Sequence, residues 1–343
     1  MNLQQLETVA QAMVTPGKGI LAADESSGTI KRRLQSIGVD STEGARQAWR
    51  SLICTTPGLG EYISGVILFD ETLRQDTVDG RRMVEALEGQ GILPGIKVDT
   101  GAKELPGSPQ EKVTEGLDGL RERLAEYAEL GAKFTKWRAV ITIGAGIPTT
   151  NCIAVNAHGL ARYAALSQEA GLVPIVEPEV LIDGDHGIGR CFEATEASLR
   201  AVFAELASQG VALSGMVLKP NMVLSGKEAS NRAPAEEVAE ATITCFQRVL
   251  PPAVPGAAFL SGGQSDEEAT QNLNAINASG LSKPWQLTFS FGRGLQAAPL
   301  QAWGGEEANL ETAQAALLHR ARMTATARQG AYSPEMEKEA ALA

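Results

Sequence analysis

Eight short apolar runs, each ending in polar or charged residues, constrain this chain more than any other feature. They cover residues 20–24, 66–70, 96–99, 134–141, 173–179, 216–221, 258–261 and 287–293. Runs this short, apolar on both faces, suit parallel strands buried on both sides. Taking one residue from each (Asp24, Asp70, Lys97, Lys136, Glu177, Lys219, Ser261 and Gly292), successive runs lie 27 to 46 residues apart. That interval holds a strand, a helix and two loops. Helical stripes fall between the runs at 117–130, 155–170 (closed by Gly171), 195–206 and 235–250. Eight such units without a long structureless break favour a (β/α)8 TIM barrel over an open doubly wound sheet. The expected fold class is therefore α/β, a single barrel domain over 1–329. Residues 2–14 and 310–328 read as extra terminal helices, and 330–343 as a flexible C-terminal tail.

Composition narrows the function. The 343 residues are 43% apolar and 21% charged, which excludes wholesale disorder. No run of about 18 apolar residues exists, so no membrane partner is expected. The first 15 residues are polar and include Glu7, so no secretory signal is expected. A net charge of −11 argues against nucleic acid and requires any anionic ligand to find a local basic pocket. Cys54, Cys152, Cys191 and Cys245 are scattered without a CxxC pair and read as reduced thiols of a cytoplasmic protein. The three histidines, His158, His186 and His319, form no closely spaced pair, so no zinc site of the usual kind is expected. Gly144 and Gly146 are too few for a dinucleotide fingerprint, and no cofactor is expected.

Barrel active sites sit at the C-terminal ends of the strands. There, residues i and i+2 share a face. Lys97 with Asp99, Lys136 with Arg138, Glu177 with Glu179, and Lys219 with Asn221 form such pairs on four consecutive runs. Lysines and carboxylates thus converge if that face is the lumen. Buried charges are costly unless paired, and perturbed charges cluster at functional sites. Lys219 stands in VLKPN, where Pro220 ends or bends the strand. Desolvation and a neighbouring cation, Lys136, favour its free amine. A neutral lysine attacks carbonyls to form an imine, an electron sink that permits cleavage of the neighbouring carbon–carbon bond. Glu177 and Glu179 are placed to move protons. Phosphate handling fits Ser261-Gly262-Gly263 and Ser290-Phe291-Gly292-Arg293, in the loops after runs seven and eight. Ser26, Ser27, Thr29, Arg32 and Arg33 at a helix start offer a second anion site. The 183–186 stretch, DGDH, reads as a turn, and Trp137 as packing.

Over nearly its whole length the chain resembles the class I fructose-1,6-bisphosphate aldolases. The resemblance rests on GKGILAADESSGTIKRRLQSIG (17–38), GVILFDETLRQ (65–75), PGIKVDTG (94–101), residues 116–138, LVPIVEPEVLIDGDH (172–186), VLKPNMV (217–223), FLSGGQSDEEAT (259–270) and FSFGRGLQ (289–296). It implies a lyase of glycolysis and gluconeogenesis that reversibly cleaves fructose 1,6-bisphosphate to dihydroxyacetone phosphate and glyceraldehyde 3-phosphate, without metal. It implies Lys219 as the Schiff-base lysine and Glu177 as the proton-transferring carboxylate. Lys136 and Asp24 are its partners, and Glu179 supports them. It further implies that Ser261, Gly262, Gly263, Ser290, Gly292 and Arg293 cradle the C1 phosphate. Lys97, Arg138, Ser26, Thr29 and Arg33 match the side near the C6 phosphate. The implied partners are phosphorylated sugars and further copies of the chain, as a homotetramer. Alternatives are a related imine-forming aldolase preferring sedoheptulose 1,7-bisphosphate or fructose 1-phosphate, and a phosphosugar-binding scaffold. Ser214 replaces a glutamate common in the family, a change expected to be structural. Animal members end in a tyrosine that assists proton transfer; here the last tyrosine is Tyr332, and Glu337 or Glu339 is a conceivable substitute.

Overall fold

The computed structural model describes residues 2–339. Eight strands close into a parallel barrel: β1 (Gly19–Ala23), β2 (Ile63–Leu68), β3 (Leu93–Lys97), β6 (Phe134–Ile141), β7 (Val173–Val180), β8 (Val217–Leu218), β9 (Gly256–Phe259) and β10 (Gln286–Phe291). The order around the barrel is β1-β10-β9-β8-β7-β6-β3-β2, so strands adjacent in this series pair in parallel and β1 seals the ring against β10. Each of the eight apolar runs overlaps one barrel strand. The remaining two strands, β4 (Gly101–Leu105) and β5 (Ser108–Glu115), form an antiparallel hairpin between β3 and β6. The helical stripes correspond to helices Leu120–Glu129, Thr150–Glu169, Ile188–Ser208 and Ala235–Val249.

Period-2 alternation divides each strand between two environments. Outward residues such as Leu21, Trp137, Val176, Leu218 and Phe289 join the large core beneath the helices. Trp137 stacks on Tyr163 with ring centroids 5.5 Å apart, so it packs as expected. Inward residues Ile20, Ile67, Phe134, Ile175, Val217 and Ala258 form a second, smaller core. Phe134 can occupy the barrel centre because Gly95 faces it; a Cβ there would overlap the ring. Helix Leu3–Met13 joins this inner core through Leu6, Ala10 and Met13, and Asn2 caps its start. Burying side chains the size of Leu6 and Met13 contributes about 1.5–3 kcal/mol each. Ser214 donates to Glu7 Oε1 at 2.7 Å, tying that helix to the chain just before β8. The serine therefore has a structural contact.

Two expectations need correction. β8 spans only two residues, because Pro220 has no N–H to continue the ladder. Asn221 consequently leaves the lumen. Its Oδ1 accepts from Val180 N at 3.0 Å and its Nδ2 donates to Thr195 Oγ1 at 3.0 Å, on the barrel wall. The segment after residue 330, expected as flexible, is docked through its described part. Tyr332 is buried, and Glu337 accepts from Tyr332, His319 and Arg320 on the outside of the barrel. Glu337 is thus engaged with Arg320, which in turn donates to Thr270 Oγ1 at 2.9 Å, and it does not line the cavity at the strand ends. Glu339's side chain and residues 340–343 lie outside the description.

Candidate active site

The strand C-termini open into a cavity of about 740 Å³, within the usual range for small-molecule sites, about 300–1,000 Å³. All sixteen candidate residues line it. Seven cationic side chains (Arg32, Arg33, Lys97, Lys136, Arg138, Lys219 and Arg293) meet five carboxylates (Asp24, Glu25, Asp99, Glu177 and Glu179). An acidic chain thus carries a locally positive hollow, as an anionic ligand requires.

At the centre stands a chain of buried ion pairs. The same lumen face that is apolar at Ile175 carries Glu177 one step further along β7, and that at Phe134 carries Lys136 along β6. Lys219 follows Val217, held by its own N–H to Val176 O at 2.8 Å. Lys219 Nζ lies 3.1 Å from Glu177 Oε1, and Lys136 Nζ 3.5 Å from Glu177 Oε2. Lys136 Nζ also lies 2.6 Å from Asp24 Oδ2 and 3.9 Å from Asp99 Oδ2. Glu177 Oε2 is buried with no hydrogen-bond partner. Burial disfavours the Asp24 carboxylate, but Lys136, Lys219 and Lys97 outweigh it and hold Asp24 well below the usual carboxylate range. Burial equally disfavours the Lys136 charge, and Asp24, Glu177 and Asp99 outweigh that, holding the ammonium above its ordinary value. The arrangement is a fixed charge pair, Asp24–Lys136, set beside a glutamate that touches both lysines.

Two rims flank this centre. On one, Lys97 Nζ lies 2.6 Å from Asp99 Oδ1, while Asp99 accepts from Gly101 N at 3.1 Å and Arg138 N at 3.2 Å. The hairpin starts here, so Gly101 and Ala102 join the wall. Arg138 pairs with Glu179, and Glu179 lies against the opposite loop: a Cβ at Gly262 would come 2.5 Å from its Oε1. Glu179 therefore takes an arginine partner at the rim, where sequence placed it in the lysine network.

The other rim follows β9 and β10. Gly263 has φ +78°, a conformation L side chains rarely adopt, and a Cβ there would overlap Ile182. Ser265 and Glu268 form a capping box that starts the next helix, Asp266–Ala278. Ser290 Oγ is buried without a partner. Gly292 caps helix Arg293–Trp303, whose N-terminal N–H groups favour an anion. Arg293 Nη2 donates to Gln264 O at 2.7 Å, bridging the two loops. Arg33 belongs with this rim, not the far one: a Cβ on Gly292 would lie 3.8 Å from Arg33 Nη2. Sequence reasoning missed Glu25, Ser36 and Thr100–Ala102 as lining residues. A Pro106-Gly107 turn signal could have revealed the hairpin; nothing local marks Glu25.

Elsewhere, the 183–186 turn is held by Lys227 N to Ile182 O at 2.8 Å and Gly226 N to His186 O at 2.7 Å. The four cysteines are free and buried, and burial pushes the Cys54 thiol up to about 12. Among the described residues no three His, Cys, Asp or Glu side chains converge as a metal site, and no helix is long and apolar enough to cross a membrane.

The fold and site define a closed parallel (β/α)8 barrel with paired lysines and carboxylates at its mouth, between two rims rich in cationic and glycine residues. Comparison with known proteins makes this specific. The family model "Fructose-bisphosphate aldolase class-I" matches residues 5–343, and the chain belongs to that family. A probable class 1 fructose-bisphosphate aldolase of Xanthomonas campestris pv. campestris is 53% identical over 333 residues, covering 97% of this chain and 99% of the relative. The cytosolic fructose-bisphosphate aldolase 4 of Arabidopsis thaliana is 51% identical, covering 98% and 86%. A solved Plasmodium falciparum aldolase, in a ternary complex with TRAP and a small-molecule inhibitor, superposes with TM-score 0.95 at 49% identity, covering 96% and 95%.

Proposed function

We propose that Lys219 is the imine-forming nucleophile and that Glu177 serves it as acid and base. The observation that carries this is the contact of one carboxylate with both lysines, 3.1 Å to Lys219 and 3.5 Å to Lys136. Glu177 takes the proton the Lys219 amine sheds, and the free amine attacks C2 of fructose 1,6-bisphosphate. Glu177 returns a proton to the carbinolamine hydroxyl, water leaves, and the protonated imine forms. The C4 hydroxyl gives its proton to Glu177 and the C3–C4 bond breaks. Its electron pair enters the iminium to give an enamine, and glyceraldehyde 3-phosphate departs. Protonation of the enamine at C3 and attack of water on the imine release dihydroxyacetone phosphate and the amine. Asp24, paired with Lys136 at 2.6 Å, keeps that lysine charged, and the charge stabilises the oxygen anions that develop.

Ser261, Gly262, Gly263, Ser290, Gly292, Arg293 and Arg33 hold the C1 phosphate in this reading. Lys97, Arg138, Ser26 and Thr29 serve the C6 end, and Glu179 steadies Arg138. We further infer a homotetramer of single barrel domains (residues 1–329), each with the 330–343 segment appended, working in the cytoplasm.

Borohydride reduction of EDTA-treated protein with dihydroxyacetone phosphate, followed by peptide mass mapping, tests the nucleophile. The expected result is one stable adduct, on Lys219, absent from Lys219→Met. An adduct on Lys136 or Lys97 overturns the assignment.

A further inference from the structure

Glu25 has no part in the mechanism above, yet its carboxylate is buried in the cavity wall with a side-chain exposure of 4%. A charge so placed demands partners, and it has three. Oε1 accepts from Arg33 Nη1 and from Gln296 Nε2, the latter at 2.7 Å. Oε2 accepts from Arg50 Nη2 at 3.1 Å. Each partner is fixed in turn. Arg50, 2% exposed in its side chain, donates to Thr72 Oγ1 and to Glu25 O. Gln296 Nε2 also donates to Ala22 O at 2.6 Å, and its Oε1 accepts from Trp49 Nε1 at 3.3 Å. Gln296 sits in the first turn of the helix that Arg293 opens. The carboxylate therefore joins the end of β1, the helix Ser27–Gln35 that carries Arg33, and the start of the last phosphate-rim helix.

We propose that Glu25 is a positioning residue: by holding Arg33 Nη1, with Arg50 and Gln296 fixing its own carboxylate, it aims Arg33 Nη2 at the anion site beside Gly292. Arg33 is otherwise a long side chain on a surface helix, a quarter exposed. Such a side chain has substantial rotamer freedom, all of which must be surrendered when an anion binds. Pairing one guanidinium nitrogen with a buried carboxylate surrenders it beforehand and leaves the other nitrogen for the ligand. The inference rests on the reading of that rim as the C1-phosphate site.

Steady-state kinetics on fructose 1,6-bisphosphate tests it with Glu25→Gln, Arg33→Ala and the double variant, each checked for an unchanged far-UV spectrum. Glu25→Gln is expected to raise KM about tenfold, equivalent to about 1.4 kcal/mol, with kcat changed far less. In the Arg33→Ala background it should add little, because Glu25 acts through Arg33. Glu25→Asp keeps the charge but draws the carboxylate back by one methylene, away from Arg33. It should raise KM likewise, and it serves if Glu25→Gln fails to fold. An unchanged KM in Glu25→Gln or Glu25→Asp, or effects that simply add in the double variant, overturns the proposal. If Arg33→Ala itself leaves KM unchanged, the phosphate-rim reading fails first, and that outcome is separate from failure at Glu25 alone.

Discussion

Individual residues here are chosen for the charge they must keep. Asp24 and Lys136 hold each other ionised, in opposite directions from their ordinary values. A depressed carboxyl contributes stability that is present above its unfolded value, about 3.9, and is lost as pH falls toward its folded value. A raised lysine contributes fully below about 10.4 and is lost only above that. Both are charged across the neutral range. Asp24→Asn is therefore expected to cost stability at pH 7, with the deficit flat between about pH 5 and 10. It narrows as the solution is acidified below about pH 4. Urea unfolding of both proteins across that range measures it; a deficit unchanged at pH 3 would mean the carboxylate is not held down in the fold. Gly263 is chosen for the opposite reason, its lack of a side chain. Gly263→Ala strains a positive φ and overlaps Ile182, so the loop must move. Its KM for fructose 1,6-bisphosphate should rise, with little change in the yield of borohydride adduct at saturating dihydroxyacetone phosphate, since Lys219 lies on another strand.

Elements were legible where one residue pattern had one explanation. All eight barrel strands follow from apolar runs, because a strand buried on both faces leaves no polar option until its end. The inner charges were legible for the same reason, as i+2 steps past the last apolar residue. Four things were hidden. The β4–β5 hairpin has exposed Lys103 and Glu104 and too little alternation to read as strand. Asn221 is rotated out of the lumen by the end of the strand at Pro220, which a period-2 argument carries straight through. Glu25 is neighbour to Asp24 and Ser26, yet its partner Gln296 lies 271 residues away, and only barrel closure brings them together. The N-terminal helix was legible as amphipathic, but its role as part of the inner core was not. Leu6 is 1% exposed in that core. Leu6→Ala is expected to cost about 2–5 kcal/mol in thermal or urea unfolding while kcat stays near wild type, because Leu6 packs in the inner core and does not line the charged cavity. A loss of kcat equal to that of Lys219→Met would show that the inner core and the charged cluster are not independent.

At the scale of the whole molecule, two opposed fields act on the substrate. The chain carries −11, while the cavity has two more cationic than anionic side chains. A bisphosphate approaching from solution meets the first before the second. Ionic strength separates them by range. At about 0.01 M the screening length is about 30 Å, so the repulsion of the whole surface reaches the incoming anion. At about 0.15 M it is about 8 Å, and the distant carboxylates are largely silenced while the pocket's own cations, within a few ångströms of the phosphates, are not. Near 1 M, at about 3 Å, the local attraction is weakened as well. KM for fructose 1,6-bisphosphate is therefore expected to pass through a minimum as potassium chloride is raised, falling from the lowest salt toward about 0.1 M and rising beyond it. Chloride is the proper salt, because sulfate or phosphate would compete at the rims. Arg293→Ala should have a higher KM at every salt concentration and a shallower rise on the high-salt side, since it removes part of the local attraction and leaves the global repulsion in place. A wild-type KM that climbs from the lowest salt would mean that the basic hollow governs binding at every range and that the acidic surface does not oppose it.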